Sequence, residues 1–148
     1  MSWQRLETED AELATFGRAR LVDTGVSYLA TVDEAGAPRV HPVTPILAPG
    51  RLFVFMEPTS PKGRDLERGS RYALHCAVED ADGGRGEFRV AGTARRVDDP
   101  QLRELAVAAS PYAPSDRYVL FELLVEDAFS TVYDADGEPV RRRWRAAR

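Results

Sequence analysis

Apolar residues along this chain fall mostly into short runs of strand length, and only three stretches hold helical spacing. Leu52 to Met56 is an apolar run long enough for one strand and too short for most helices. Ser27 to Val32 and Arg71 to Val78 read as further strands. Glu87 to Val97 alternates, with Phe88, Val90, Gly92 and Ala94 on one face; its small residues leave room for another backbone or a ligand. Ala37 to Leu47 is extended, but Pro38, Pro42 and Pro45 each remove a ladder donor, so it suits an edge. Arg117 to Tyr133 is the longest extended candidate, with Val119, Phe121, Leu123 and Val125 facing one side. A helix is predicted over Glu9 to Val22, where Leu13, Phe16, Arg20 and Leu21 share a face and Gly17 weakens the middle. A short one starts at Pro61 behind Ser60 and closes at Gly69, and a third starts at Asp99-Pro100 and runs to about Ala109.

The order is helix, three strands, short helix, two strands, helix, long strand. Short turns such as Asp33-Glu34-Ala35-Gly36 join the first three strands as antiparallel hairpins. No strand–helix–strand alternation or repeat is present, which disfavours a doubly wound sheet. The pattern predicts an α+β chain, mainly β with flanking helices, whose antiparallel strands, about six, form a small closed or split β-barrel. At 148 residues a single domain over 1–148 is expected, ending in a short basic tail from 138 to 148. Strands apolar on both faces, such as Leu52 to Met56, need cover, and a second subunit is the simplest source of it.

Charge and composition narrow the function. A net charge of −4 argues against broad nucleic-acid binding, which depends on neutralising phosphates. The single Cys76 excludes an intrachain disulfide and, with only His41 and His75, leaves no expected metal site. No apolar run approaches the roughly 20 residues that span a bilayer. The acidic start lacks the pattern of a signal peptide, so the chain reads as cytoplasmic and without a membrane partner. His75 and Cys76 are neighbours on a strand and point to opposite faces, so they do not form a reactive dyad. His41 reads as a polar residue on an edge strand rather than a general acid.

One turn carries chemistry. Of the 20 basic residues 19 are arginine, and the one lysine, Lys62, sits in the turn Ser60-Pro61-Lys62-Gly63-Arg64. A hydroxyl, free amides and cations meeting where a helix begins suit a phosphate. The plainer reading is a helix cap with a solvated lysine.

The run Tyr28-Leu-Ala-Thr-Val-Asp-Glu-Ala-Gly-Ala-Pro-Arg39-Val-His-Pro-Val43, then Leu52-Phe-Val-Phe55, then Ser60-Pro-Lys62-Gly-Arg-Asp-Leu66, resembles the pyridoxamine 5'-phosphate oxidase-like family. Members of that family are FMN-binding split barrels, generally homodimers with cofactor sites at the interface. The resemblance covers Ser27 to Val97, with a looser echo in Arg117 to Trp144. It implies that Arg39 to Thr44, Val43 and Thr44 included, match the strand flanking the flavin and its phosphate. By the same likeness Phe55 and Met56 match the pair beside the ring or ribityl chain, and Ser60 and Lys62 the phosphate ligands. Glu87 falls where oxidases of the family place a Gln near the flavin. Pro61 stands where the oxidases have an Arg, and Arg64, one turn later, is the candidate replacement. The oxidases are also longer, so pyridoxamine phosphate oxidation is not the expected activity.

The resemblance thus implies a small FMN-dependent oxidoreductase. It would move hydride or electrons between a reduced nicotinamide, or another small-molecule substrate, and the flavin. No general acid or base stands out. A reductase using the deazaflavin coenzyme, its anionic extension held by the basic tail, is one alternative. A non-catalytic flavin or haem binder, with His41 or His75 as the nitrogen ligand, is another. Trp144 is either an anchor for a loose tail or an aromatic plate against the flavin, and Arg141 to Arg143 either a solvated run or part of a partner's site.

Overall fold

The computed structural model describes residues 2–148. Two helices open the chain, α1 (Trp3–Glu9) and α2 (Ala11–Val22), and the Asp10 carboxylate between them caps α2 by accepting from Leu13 N at 3.1 Å. The strands are β1 (Ser27–Val32), β2 (Pro38–Val43), β3 (Ile46–Ala48), β4 (Arg51–Met56), β5 (Tyr72–Cys76), β6 (Glu87–Gly92), β7 (Ala94–Val97), β8 (Val119–Leu123), β9 (Asp127–Tyr133) and β10 (Pro139–Arg145). Helix α3 (Pro61–Glu67) lies between β4 and β5, and α4 (Pro100–Ala109) between β7 and β8.

Every pairing is antiparallel. The main sheet has six strands in the order β10-β9-β6-β5-β1-β2, and a second has four in the order β3-β4-β8-β7. The α+β, antiparallel split-barrel expectation therefore holds. Three of the four strands of the second sheet, β3, β7 and β8, run together with a neighbour in the hydrophobic pattern. Three extended stretches (β2 into β3, β6 into β7, β8 into β9) each leave one sheet and enter the other. Two of these crossings touch: Leu124 N donates to Thr93 O and Glu126 N to Ala91 O, at 2.8 and 2.9 Å. Gly92 sits in that contact, and a Cβ there would stand 2.0 Å from the Leu124 carbonyl oxygen. The small residues of this stretch serve close backbone approach.

Two apolar cores follow. Helices α1 and α2 cover the inner face of the main sheet, where Trp3 packs edge-on against Phe88 at 6.1 Å between ring centroids. The N-terminal residues before Glu9 are helical because Trp3 and Leu6, one turn apart, bury the same face. Gly17 is a packing requirement: a Cβ there would meet the Phe88 ring at 2.2 Å. The second core lies under α4, where Phe53, Phe55 and Leu120 meet Ala106. Strand β4 thus has both faces buried inside one chain, Val54 in the first core and Phe55 in the second. Its cover comes from α4 and not from a second subunit, which corrects the expectation drawn from its pattern.

The basic tail is also corrected. It is strand β10, paired with β9 from Pro139↔Tyr133 to Arg145↔Asp127. Arg142 bridges Asp10 and Glu12, and Arg143 pairs with Asp127. Trp144 is buried in the first core, with Nε1 donating to Glu9 Oε2 at 2.8 Å. No helix among the described residues is long and apolar enough to cross a membrane.

Candidate functional site

An open cavity of about 330 Å³ lies where the β2–β3 crossing, the end of β4 and the first turn of α3 converge. It gathers five of the residues singled out from sequence: Val43, Thr44, Phe55, Met56 and Lys62. Val43 closes β2 and Ile46 opens β3, so Thr44 and Pro45 lie between the ladders. Pro45 makes this break, since it offers no amide to continue the sheet. Helix α3 rests close on β4 because residue 63 is glycine, where a Cβ would stand 2.9 Å from Met56 Sδ.

Ser60 precedes Pro61 with extended backbone, as an N-cap should, yet its side chain makes no capping bond. Its Oγ accepts from Lys62 Nζ at 2.9 Å, which leaves the hydroxyl proton free to donate. Lys62 enters no ion pair with a carboxylate among the described residues, and burial pushes its pKa below the ordinary lysine value. A half-buried ammonium satisfied only by a hydroxyl is the arrangement an anion completes.

Arg39 and Arg64 lie around the corner of α3, in a neighbouring crevice that includes Pro61 and Arg68. Arg39 is committed: its Nε donates to Asp65 Oδ2 at 2.8 Å. Asp65 is 1% exposed and also accepts from Thr31 Oγ1 at 2.7 Å and from Arg68. Burial pushes its carboxyl up, but the donors from Arg39, Thr31 and Arg68 outweigh that and hold it below the usual carboxylate range. Arg64 is exposed and enters no ion pair among the described residues.

Besides Arg39 and Arg64, two expected residues lie away from both crevices. Glu87 lies on the main sheet, beside His75, Arg89 and Phe129 in a separate depression. Trp144 is in the core, because Glu9 and the α1–α2 face take up its ring. The basic strand β10 is also absent from the cavity lining, so within one chain it does not serve a ligand there. His75 turns its Nδ1 to within 2.6 Å of the Cys76 carbonyl oxygen, while Cys76 Sγ accepts from Phe88 N inside the core.

Other wall residues were not singled out. Tyr112 and Tyr118 come from the segment between α4 and β8; Tyr112 lies in its proline-bearing part, and Tyr118 falls in the Arg117 to Tyr133 stretch that reads in sequence as extended. The guanidinium of Arg103 holds that segment by donating to the carbonyls of Tyr118, Ser115 and Asp116. Arg117 pairs with Glu57 at the cavity rim. The Pro111-Tyr112-Ala113-Pro114 sequence was the available signal, an aromatic presented on stiffened backbone. Val26 and Pro42 complete the wall, beside an apolar strip on the outer face of β1 and β2. There Tyr28, Val32 and Val40 are 45%, 44% and 62% exposed.

The family described as pyridoxamine 5'-phosphate oxidase matches residues 13–140. Among solved structures, the fold is similar to that of a heme binding protein from Mycobacterium smegmatis, with 20% identity and a TM-score of 0.67. That match covers 88% of this chain but only 57% of that one, so the chain spans less than two thirds of that protein. It is similar to PhzG from Burkholderia lata 383 in complex with tetrahydrophenazine-1-carboxylic acid, with 16% identity, 97% and 87% coverage and a TM-score of 0.67. A candidate pyridoxamine 5'-phosphate oxidase from Lactobacillus delbrueckii is 26% identical, with 73% and 86% coverage and a TM-score of 0.57. No curated protein matches the chain in sequence.

Proposed function

The chain belongs to the pyridoxamine 5'-phosphate oxidase family, and from that premise we propose that it is a small FMN-dependent oxidoreductase acting as a homodimer. The observation that carries this reading is Lys62: a half-buried ammonium 2.9 Å from Ser60 Oγ, without a carboxylate partner among the described residues, at a cavity walled by Phe55 and Met56. Lys62 and Ser60 would hold the phosphate by charge and hydroxyl, with Arg64 and the Asp65-bound Arg39 adding positive charge from the next crevice. Thr44, outside both ladders, would present backbone to the ring edge. Tyr112 and Tyr118 would limit water at the open side.

When bound, FMN supplies the redox chemistry. The activity proposed is exchange of hydride or electrons with a reduced nicotinamide or another small-molecule substrate. A cavity of about 330 Å³ is at the small end of the roughly 300–1,000 Å³ typical of ligand pockets, as expected of a half-site. The exposed strip of Tyr28, Val32 and Val40 beside it supports a second copy as the missing wall.

The absorption spectrum of the purified protein tests the reading. A flavin spectrum, with FMN released on denaturation, is expected. A colourless protein that binds a deazaflavin coenzyme and not FMN would replace the cofactor, and a haem-type Soret band would replace the enzyme by a haem binder. Light scattering should give a dimer, and a stable monomer with bound FMN would remove the interface site.

A further inference from the structure

We propose that Asp65 is the positioning residue of the Ser60–Lys62 anion clamp, tying it to the strand that forms the opposite wall of the cavity; this rests on the flavin-binding reading above. Thr31 and Arg39 are cross-strand partners on β1 and β2, and both donate to the same oxygen, Asp65 Oδ2, at 2.7 and 2.8 Å. Arg68 takes the other oxygen from within the helical turn. A carboxylate 1% exposed and held by three donors has one geometry available to it.

Lys62 lies three residues before Asp65, and so on the same side of a two-turn helix. On the other side of the link, β2 carries Arg39 and, four residues on, Val43 at the cavity. One strand therefore provides both the tether and the wall. Losing the tether lets the clamp shift relative to that wall, while the apolar contacts of Gly63 and Leu66 keep the helix docked. A role confined to stability would instead weaken binding of every ligand alike.

The test titrates FMN and riboflavin, which differ only in the phosphate, into the wild type, Asp65→Asn, Lys62→Ala and the double variant, with denaturation curves run on each. In Asp65→Asn the preference for FMN over riboflavin should fall about tenfold, and in the Lys62→Ala background the same change should not alter it. An unchanged preference in Asp65→Asn, or an equal fall with and without Lys62, overturns the positioning role and leaves the flavin reading standing. A wild type that binds riboflavin as tightly as FMN overturns both. Should Asp65→Asn not fold, Thr31→Val removes one donor with little change of shape. It should lower the preference about threefold, and no change in it would overturn the role.

Discussion

Gly92 and the carbonyl oxygen of Leu124 are so close that a Cβ on the glycine would stand 2.0 Å from that oxygen. The oxygen also accepts from Tyr72 Oη at 3.0 Å, so the backbone there has no freedom to retreat. Gly92→Ala is expected to destabilise the protein by about 3 kcal/mol or more, read as a lower denaturant midpoint. The cause is steric, since residue 92 does not adopt a left-handed conformation.

Lys62→Ala should weaken FMN by about ten- to a hundredfold while changing riboflavin far less, because the charge-assisted contact to phosphate is lost and riboflavin has no phosphate to lose. Fluorescence titration of both flavins measures it. Equal losses for both would mean that Lys62 shapes the cavity and leaves the phosphate to another group.

The same lysine sets a pH dependence. Burial holds Lys62 below its ordinary pKa of 10.5, and only the protonated form attracts phosphate. The preference for FMN over riboflavin should be steady near neutrality and be lost as pH rises through the Lys62 pKa, starting earlier than an exposed lysine would allow. It should also weaken below about pH 6, where a phosphate monoester takes up its second proton. Affinities measured across that range check both limbs.

Asp65 makes an acid-side counterpart. Its folded pKa lies below the unfolded value of 3.8, so its contribution to stability is complete above that value and is lost as pH falls through the folded pKa. Asp65→Asn should be less stable than wild type at neutral pH and lose less stability on acidification. Thermal melts at a series of pH values will show the two curves converging.

Trp144→Ala should cost about 3–5 kcal/mol, since it empties a site in the main core and leaves Glu9 without its indole donor. Trp144→Phe, which keeps most of the packing, should fold and retain its flavin spectrum. Loss of flavin from a folded Trp144→Phe protein would return this residue to the cofactor site.

Much of this was legible in the sequence, and the failures have physical causes. Ser27 to Val32 and Leu52 to Met56 read correctly because their apolar runs are bounded by turn residues, and Asp99-Pro100 correctly opens α4. The stretches Glu87–Val97 and Arg117–Tyr133 each read as one strand because inward-facing residues stay apolar when a strand changes sheets. Pro45 and Gly92 are local markers at two of the three crossings, and the β8–β9 crossing has none. Strand β10 is hidden by composition: Trp144 is its one buried residue, and the strand's four arginines resemble a solvated run. Of the site, the residues close in sequence to the Ser60 turn converged, whereas Tyr112 and Tyr118 arrive through a loop whose path depends on the docking of α4 by Arg103.

The six-stranded sheet ends in two unlike borders, β2 and β10. Pro38, Val40 and Pro42 alternate along β2, so their backbone groups share one side, and the unbroken six-pair ladder with β1 leaves that side to the open border. Val40 then carries the one amide available there. At the far border Arg141, Arg143 and Arg145 repeat along β10, the last two around Asp127 and Arg141 in no ion pair among the described residues. Neither border will template another chain by strand addition, so copies can meet through the flat of the sheet but cannot polymerise along it. That restriction separates a finite assembly from a fibre, and it is written into two prolines and a row of arginines.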